Sequence, residues 1–270
     1  MINTIIINAD DFGYSYSVNR AIFQSFQRSL CNSLSLLPNL DGFDDAIGLI
    51  NTHSILRRRA GIHINITEGF PLSDEIRHCS RFCDPEGRFS YRRERPLFVL
   101  SRRERRAVYQ EIKMQLDRVT AAGIEPTHLD SHHHVHTEWA ITPIVNRLVQ
   151  EYHIGRVRRA RNMGRPSGYA KRLYKALLNR WYFRSDVGFG NTDYFGDIED
   201  MKYLLDTQPP EGKFIEVMVH PHFDGKGELV DINKRDLQQQ LAPVLAAQYA
   251  ISTSTHLTKK GVSSPWPERV

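Results

Sequence analysis

The densest group of chemically active side chains lies between Thr127 and His136, where five of the chain's twelve histidines occur. Side chains alternate faces in an extended strand, so every second residue of this run is predicted to share one face. These residues are His128, Asp130, His132, His134 and His136. Imidazole is the commonest metal ligand in proteins, so this face indicates a metal or acid–base site. The alternative is a polar strand end whose histidines make ordinary hydrogen bonds.

Two adjacent carboxylates, Asp10 and Asp11, follow the first apolar run of the chain and precede Gly13. Burying unpaired carboxylates is costly, so these two either meet a cation or face solvent. Asp11 by itself could instead be a turn or capping residue before Gly13. The histidine-rich run elsewhere in the sequence favours the cation.

Two further strand ends carry histidines. Within Gly61 to Ile66, His63 and Asn65 share one face of the predicted strand, and the isoleucines take the other. His220 ends an apolar run just before a proline, which cannot continue a hydrogen-bonded ladder. Considered alone, His63 would be a core histidine with its hydrogen bonds satisfied. Polar groups at four strand ends can nevertheless converge on one point.

Together these positions supply the ligands of a metal centre and two groups to spare. One carboxylate from the first strand and one histidine from each of two later strands leave open coordination positions. Such a shell suits one divalent ion, such as zinc, magnesium, manganese, cobalt, nickel or iron. The remaining carboxylate and histidine match the needs of amide hydrolysis, which are a base that activates water and an acid that protonates the departing amine.

Short apolar, β-branched runs alternate with helical stretches, which is typical of an α/β protein with a mainly parallel sheet. The predicted strands are Thr4 to Ala9, Ser33 to Pro38, Gly61 to Ile66, Thr127 to His132, Arg156 to Arg161, Phe214 to His220 and Tyr249 to Ser254. The predicted helices are Ser17 to Arg28, Phe43 to Ile50, Ser101 to Ala122, Glu138 to Tyr152, Gly168 to Tyr182, Ile198 to Leu205 and Lys234 to Ala246. We expect a TIM-like (βα) barrel rather than an open doubly wound sheet, because barrel active sites draw residues from several strand ends.

The composition is that of an ordinary globular protein. The 270 residues are 40% hydrophobic and 25% charged, which excludes a disordered or collagen-like chain. We expect a single domain over residues 1–270, with an Arg-rich insertion at about residues 67–100, because no linker divides the chain. Neither a secretory signal nor a long apolar span is evident. Cys31, Cys79 and Cys83 are too few for a disulfide framework, so we expect a cytoplasmic protein.

The net charge of +5 is unevenly distributed. Residues 156–184 contain ten Lys or Arg and no Asp or Glu. Apolar residues recur there at helical spacing, opposed by basic ones, which predicts a basic amphipathic helix. They are Tyr169, Leu173, Ala176, Leu177 and Trp181. The ordinary interpretation is a solvated basic face with its apolar stripe toward the core. The alternative is recruitment of an anionic substrate, or peripheral contact with an anionic membrane at its inner face.

These motifs, in this order, resemble those of the YdjC-like carbohydrate deacetylases, a family that includes chitooligosaccharide deacetylases and a hopanoid-biosynthesis branch. The resemblance rests on residues 8–13, 61–63, 127–136 and 217–221 and spans roughly Ile5 to His222. It implies a distorted barrel of parallel strands and metal-dependent removal of an N-acetyl group from a sugar. The Arg-rich insertions depart from the family pattern.

The resemblance also implies roles for individual residues. Asp11, His63 and His132 correspond to metal ligands, Asp10 to the base and His220 to the acid. We expect Asn65, Asp130 and His134 to bind substrate or to support these residues, since a carboxylate such as Asp130 commonly orients a ligating histidine.

The expected function is therefore deacetylation of a free, phosphorylated or lipid-linked N-acetylated amino sugar. A metal phosphoesterase or an amidohydrolase would also use His and Asp at barrel strand ends, although amidohydrolases usually open with a His-x-His pair. A non-enzymatic nucleic-acid-binding protein is favoured by the isoelectric point of 9.1. It leaves the His and Asp array unexplained, so we expect no nucleic-acid partner. A homodimer stays open.

Overall fold

The computed structural model describes residues 4–164, 168–183, 192–208, 210 and 212–254. Its strands are β1 (Thr4–Phe12), β2 (Ser33–Leu36), β3 (Ala60–Ile64), β4 (Leu129–Ser131), β5 (Tyr194–Asp197), β6 (Phe214–Val219), β7 (His222–Phe223) and β8 (Leu229–Val230). Its helices are α1 (Tyr16–Gln27), α2 (Phe43–Thr52), α3 (Asp74–Arg77), α4 (Arg102–Ala121), α5 (Thr142–Glu151), α6 (Tyr169–Trp181), α7 (Ile198–Thr207) and α8 (Leu237–Ser254). A 3₁₀ helix, His132–Thr137, directly follows β4 and is called the His turn below.

Six parallel strands form one sheet in the order β4-β3-β2-β1-β6-β5, which confirms the predicted α/β class. The longest strand, β1, lies inside the sheet, with Ile7 opposite Val217 of β6. Strands β2, β3 and β4 are buried along their whole length, as expected for parallel strands that are covered on both faces. β7 and β8 form a separate antiparallel pair.

Residues 156–163 connect the two edges of this sheet. The Arg158 N–H donates to the carbonyl of Leu129 in β4 (2.9 Å), and the N–H groups of Asn162 and Met163 donate to the carbonyl of Phe195 in β5 (3.1 and 3.2 Å). Of the predicted strand Arg156–Arg161, only an isolated parallel bridge between Val157 and Leu129 forms, because the chain leaves β4 for β5 after Arg158. The curled sheet and this connection form a distorted, TIM-like half-barrel, as predicted.

Each predicted helix is present. The elements that were not predicted are α3, β5, β7, β8 and the His turn. β5 escapes the sequence pattern because its four residues include Gly196 and Asp197 rather than an apolar run. The predicted strand Tyr249–Ser254 is wrong: these residues continue α8, since no Gly or Pro lies between Pro243 and Ser254. The predicted segments at residues 165–167, 184 and 255–270 lie outside the described residues.

The Arg-rich insertion is packed onto the domain through α4. Glu111 of α4 accepts hydrogen bonds from the N–H groups of Leu72 (3.1 Å) and Ser73 (2.7 Å). Ile76 and Phe82 of the insertion are completely buried. The insertion ends at Ser101, whose side chain caps α4 in a reciprocal capping box. The insertion is therefore a packed part of the domain, held against α4 beside β3.

Cys31, Cys79 and Cys83 are buried and free. Burial raises the pKa of the Cys31 and Cys83 thiols to about 12, so both stay protonated and weakly reactive at neutral pH. Within the described ranges, no helix is both long enough and apolar enough to cross a membrane.

Candidate metal centre and active site

The predicted site residues meet at the carboxyl end of the sheet. Asp10 and Asp11 lie near the end of β1, where Asp11 adopts a left-handed φ of 70° and the register with β2 shifts. His63 lies in β3 directly opposite Asp130 of β4. His132 opens the His turn immediately after β4. The parallel sheet therefore brings Asp11 next to His132, although 121 positions separate them in the sequence.

Asp11, His63 and His132 form a compact trio. His132 Nδ1 lies 2.8 Å from Asp11 Oδ1, and His63 Nε2 lies 3.2 Å from the same oxygen. One ligand atom from each residue falls within 4.8 Å of the others, so the trio could hold a metal ion. Both histidines are buried, whereas Asp11 is partly exposed. A bound ion would therefore stay accessible from one side.

The donor chemistry fits a divalent cation. His132 Nε2 is buried without a hydrogen-bond partner, and its nearest carboxylate oxygen, Glu68 Oε2, is 3.6 Å away, too far for a hydrogen bond. Buried imidazole nitrogens without partners are costly, and a metal ion is one way to satisfy them. Two nitrogen donors and one oxygen donor also match the ligand types of zinc and other first-row divalent ions.

Electrostatics at the trio favour positive charge. Burial lowers the pKa of His63, but the Asp130 and Asp11 carboxylates outweigh it and raise the pKa to about 10. Burial likewise opposes the rise of the His132 pKa, which the hydrogen bond to Asp11 and the nearby Glu68 carboxylate produce. The two histidines in turn overcome the effect of burial on Asp11 and hold its pKa well below its usual range. The Asp11 carboxylate thus stays ionised beside two imidazoles, each of which would release a proton to solvent on binding a cation.

Asp10 lies beside this trio, with a carboxylate oxygen within 4.8 Å of a His63 ring nitrogen, and belongs to a buried ion pair. Arg158 Nη1 and Nη2 donate to its two carboxylate oxygens at 2.6 and 2.7 Å, and Asn8 Nδ2 donates to Oδ1 at 2.8 Å. Burial would raise the Asp10 pKa, but Arg158 holds it well below its usual range. His220 Nε2 lies 4.0 Å from Asp10 Oδ2. Asp10 is therefore an ionised carboxylate next to a partly exposed histidine.

Asp130 links the trio to Arg158. Its Oδ1 accepts a hydrogen bond from His63 Nδ1 at 2.7 Å, which turns His63 Nε2 toward Asp11. Its Oδ2 lies 2.7 Å from Arg158 Nη2 and accepts a hydrogen bond from the Ser35 hydroxyl at 2.9 Å. The structure thus places Asp130 behind His63, where such a carboxylate fixes the ring orientation.

The predicted single face of histidines is wrong beyond Ser131. The chain leaves the strand there and forms the His turn, in which His133 and His134 have positive φ angles of 51° and 55°. His134 is partly buried against Phe195, and its desolvation holds its pKa well below its usual range. His136 Nε2 donates to the Arg158 carbonyl (3.0 Å), so Nδ1 of the neutral ring accepts a hydrogen bond from the Ser131 hydroxyl.

The other histidine and amide of the predicted set also have local partners. His128 is fully buried beside Gly61, and burial holds its pKa well below its usual range, so it stays neutral. Asn65 Oδ1 accepts hydrogen bonds from the N–H groups of Thr67 (2.9 Å) and Glu68 (3.1 Å). Asn65 therefore shapes the turn that carries Glu68 toward His132.

The prediction of a continuous basic surface over residues 156–184 is wrong at its beginning. Arg156 and Arg158 are buried and both pair with Glu216 of β6. Arg161 pairs with Asp197 and Asp200 at the start of α7. These arginines neutralise carboxylates inside the protein, so the exposed basic residues of this segment that the structure describes are concentrated around α6.

Sequence reasoning did not single out Arg158, Glu216 or Glu68 as site residues. Glu216 offered one signal, because a carboxylate in the middle of an apolar strand needs a buried cation. Glu68 forms a second group with His132 and His133 that could hold a metal ion. Glu68 lies in the insertion, where the sequence has no regular periodicity from which its position could be predicted.

One protein family matches nearly the whole chain. The family described as YdjC-like protein matches residues 4–259. The chain belongs to this family. That finding confirms the resemblance drawn from the strand-end motifs and covers every residue of the candidate site.

Curated relatives of this YdjC-like chain are named carbohydrate deacetylases. One from Geobacillus stearothermophilus is 33% identical over 222 residues, which cover 81% of this chain and 79% of that protein. One from Brevibacillus brevis is 41% identical over 150 residues, which cover 56% of this chain and only 57% of that protein. One from Vibrio parahaemolyticus is 28% identical, with 91% of both chains covered.

Among solved structures, a crystal structure from Enterococcus faecalis V583 aligns with 95% of this YdjC-like chain and 95% of its own chain, with a TM-score of 0.65. That protein has been suggested to cleave cellobiose phosphate. At 20% sequence identity the likeness concerns the fold alone. It independently supports the distorted barrel architecture.

Proposed function

We propose that this YdjC-like protein is a metal-dependent hydrolase that removes the N-acetyl group from an amino sugar. The observation that carries the proposal is the trio of Asp11, His63 and His132, whose ligand atoms converge at the carboxyl end of the sheet. The curated relatives named carbohydrate deacetylases support the same reaction.

Asp11, His63 and His132 would hold one divalent cation. When bound, the cation supplies Lewis acidity that polarises the acetyl carbonyl and makes water a stronger nucleophile. Asp130 keeps His63 Nδ1 protonated through their 2.7 Å hydrogen bond and leaves Nε2 free for coordination. Because Asp11 is partly exposed, a substrate could reach the cation from that side.

Asp10 and His220 would carry the proton transfers. Arg158 keeps the Asp10 carboxylate ionised, so Asp10 can accept the proton that water releases as its oxygen attacks the acetyl carbon. The C–N bond then breaks, and His220 donates a proton to the amine nitrogen, because an amine anion is a poor leaving group. The products are acetate and the free amino sugar.

Metal content tests the ligand assignment. Purified Asp11→Ala, His63→Ala and His132→Ala variants should each retain far less divalent metal than the native protein after dialysis, measured by plasma mass spectrometry. His78→Ala is the matched control, because this exposed histidine lies outside the three groups that could hold a metal. Full metal occupancy in all three ligand variants would disprove the assignment.

Product analysis tests the reaction. The protein, supplied with several divalent metals, should release acetate from at least one of a panel of free, phosphorylated, nucleotide-linked and lipid-linked N-acetyl sugars. Release of phosphate without acetate would instead establish the phosphoesterase alternative. The panel also identifies the sugar.

Substitutions separate the two proton-transfer roles. Asp10→Asn should retain the metal but lose most activity, because an amide cannot accept the water proton. His220→Ala should be slow on the amide and less impaired on an activated ester, whose leaving group needs less protonation. Equal losses on both substrates would argue against His220 as the acid.

We also propose a cytoplasmic location, which the three free, buried cysteines support. A homodimer stays a prediction, to be checked by sedimentation of the purified protein.

A further inference from the structure

The outer face of α6 carries apolar side chains that the domain leaves exposed. Tyr169, Leu173, Leu177 and Trp181 follow one another at four-residue spacing and therefore lie along one stripe of the helix. Tyr169 is 80% exposed, Leu173 47% and Trp181 55%. In α6 only Leu178 is buried. The apolar stripe that the sequence was expected to turn toward the core thus faces outward.

Two residues at the end of the insertion extend this surface. Phe98 and Val99 are exposed, and the Phe98 ring packs edge-on against Tyr174 of α6, with centroids 6.0 Å apart. We call Phe98, Val99, Tyr169, Leu173 and Trp181 the α6 patch. They are five of the eleven large apolar side chains that are exposed in the described part of the chain. Clustered exposed apolar groups mark interaction surfaces, whereas scattered ones do not.

Basic residues flank the α6 patch. Lys171, Arg172 and Arg180 are exposed, and none forms an ion pair with another residue that the structure describes. Lys171 and Arg172 reach the rim of a cavity of about 990 Å³ that Glu199 and Asp206 of α7 also line, which offsets part of their charge. No Asp or Glu occurs between residues 156 and 184. The surface therefore combines apolar groups with a net positive charge.

We propose that the α6 patch binds the surface of an anionic phospholipid bilayer. Trp and Tyr side chains favour the interface between headgroups and acyl chains, and Arg forms charge-assisted hydrogen bonds with phosphates. Transfer to a hydrocarbon environment stabilises the aliphatic side chains of Leu173 and Val99, whereas a nucleic acid would offer them no stacking partner. These residues favour a lipid surface over RNA.

Charge also argues against two other occupants of the α6 patch. A second copy of the chain would place like charges opposite one another across a symmetric interface. The chain's own residues 255–270 contain three basic residues and one acidic residue, so their net charge has the same sign as the patch. An anionic bilayer supplies the opposite charge.

The α6 patch is fastened to the His turn. The Tyr174 hydroxyl donates to the Thr137 carbonyl (3.0 Å) and accepts from the Trp139 N–H (3.1 Å). Next to the patch, the Leu97 N–H donates to Glu138 Oε2 (2.6 Å). Docking would therefore hold the candidate active site close to the bilayer. Combined with the proposed deacetylase function, on which this last step rests, the arrangement suits a lipid-linked N-acetyl sugar.

Vesicle sedimentation with charge variants tests the electrostatic part. The full-length protein should bind vesicles that contain 30% phosphatidylglycerol in phosphatidylcholine and should not bind pure phosphatidylcholine. The double variant Arg172→Glu, Arg180→Glu should bind these vesicles at least tenfold more weakly, since each basic residue near an anionic leaflet contributes to the free energy of binding. Arg57→Glu, Arg59→Glu is the matched control, because it changes net charge equally among the exposed residues that precede β3, at the opposite end of the sheet.

A second pair of variants tests the apolar part. Leu173→Ser, Trp181→Ser should reduce vesicle binding roughly tenfold. Tyr16→Ser, Ile232→Ser removes two other exposed apolar side chains and should leave binding unchanged. Both pairs substitute exposed positions, and thermal unfolding of each variant checks that the fold is retained.

Three results would overturn the proposal. Equal losses in the Arg57, Arg59 control would mean that overall charge alone drives binding. A dimer in sedimentation velocity that Leu173→Ser, Trp181→Ser dissociates, without vesicle binding by the native protein, would assign the α6 patch to a second copy. Tight binding of single-stranded RNA that the α6 variants abolish, again without vesicle binding, would assign it to nucleic acid. If the α6 variants lose vesicle binding but release acetate normally from a short sugar, the result would support membrane docking, whatever the natural sugar substrate is.

Discussion

Replacing Arg158 by methionine should strongly destabilise the protein. This guanidinium is fully buried and lies at 2.6–2.7 Å from oxygens of three carboxylates, those of Asp10, Asp130 and Glu216. Methionine fills a similar volume but carries no charge and donates no hydrogen bond. Glu216 keeps Arg156 as a partner, whereas Asp10 loses the cation that neutralises it.

The magnitude follows from the cost of leaving a buried charge without its partner. Breaking one buried ion pair by removing one member typically costs about 3–5 kcal/mol. At roughly 2–4 °C per kcal/mol for a chain of this size, Tm should fall by roughly 6–20 °C. Three carboxylates lose a contact with this guanidinium, so we expect a Tm decrease in the upper part of this range.

Thermal unfolding of metal-free protein is the suitable assay, because a bound ion would add its own stabilisation. Arg147→Met is the matched control: Arg147 pairs with Glu151 at 2.7 Å on the surface, and its loss should leave Tm unchanged. Adding Glu216→Gln to Arg158→Met removes one of the carboxylates that lost a partner. The double variant should therefore lose less stability than the two single variants added together.

A Tm for Arg158→Met within about 2 °C of the native value would refute this reasoning. It would mean that Asp10 and Asp130 are neutralised by groups other than Arg158. Strict additivity of Arg158→Met and Glu216→Gln would show that the two side chains do not interact.

Two further predictions concern the core. Gly61→Ala should cost about 1–3 kcal/mol in thermal unfolding, because the new Cβ would lie 2.5 Å from ring nitrogens of buried His128; Gly48→Ala in α2, with nothing within 4 Å, should instead stabilise by about 0.4–1 kcal/mol, and equal effects would contradict the packing argument. Burial raises the pKa of Glu111, so its contribution to stability is present below its unfolded pKa and is lost as pH rises through the folded pKa. Relative to Glu111→Gln, the native protein should therefore lose unfolding free energy in denaturant titrations as pH rises above the ordinary Glu pKa of about 4.3, and a constant difference would show that burial does not penalise the Glu111 carboxylate.

The strand-end residues of the candidate site were predictable from the sequence. Asp11 and His63 each lie in or directly after a short apolar run. Parallel strands end at the same edge of a sheet, so side chains at these positions have to lie near one another. Local patterns were sufficient here because both the strand and its end are encoded by neighbouring residues.

The Arg158 cluster was not predictable in this way. Its partners Asp10 and Glu216 lie 148 and 58 positions away in the sequence. A run of basic residues looks the same whether it faces solvent or a buried carboxylate, because the difference depends on which strands pack together. Only the order of strands in the sheet identifies Arg158 as an internal residue.

The His turn and the outward apolar stripe of α6 were both unpredicted, and for the same reason. Alternation placed the histidines after Ser131 on one strand face, yet the chain turns there through positive φ angles at His133 and His134. In α6 the spacing of Tyr169 and Trp181 fixed an apolar stripe but gave no direction for it. The sequence by itself determined which residues share a strand end or a helix face. The tertiary structure decided which faces are buried, because burial depends on the partner that packs against them.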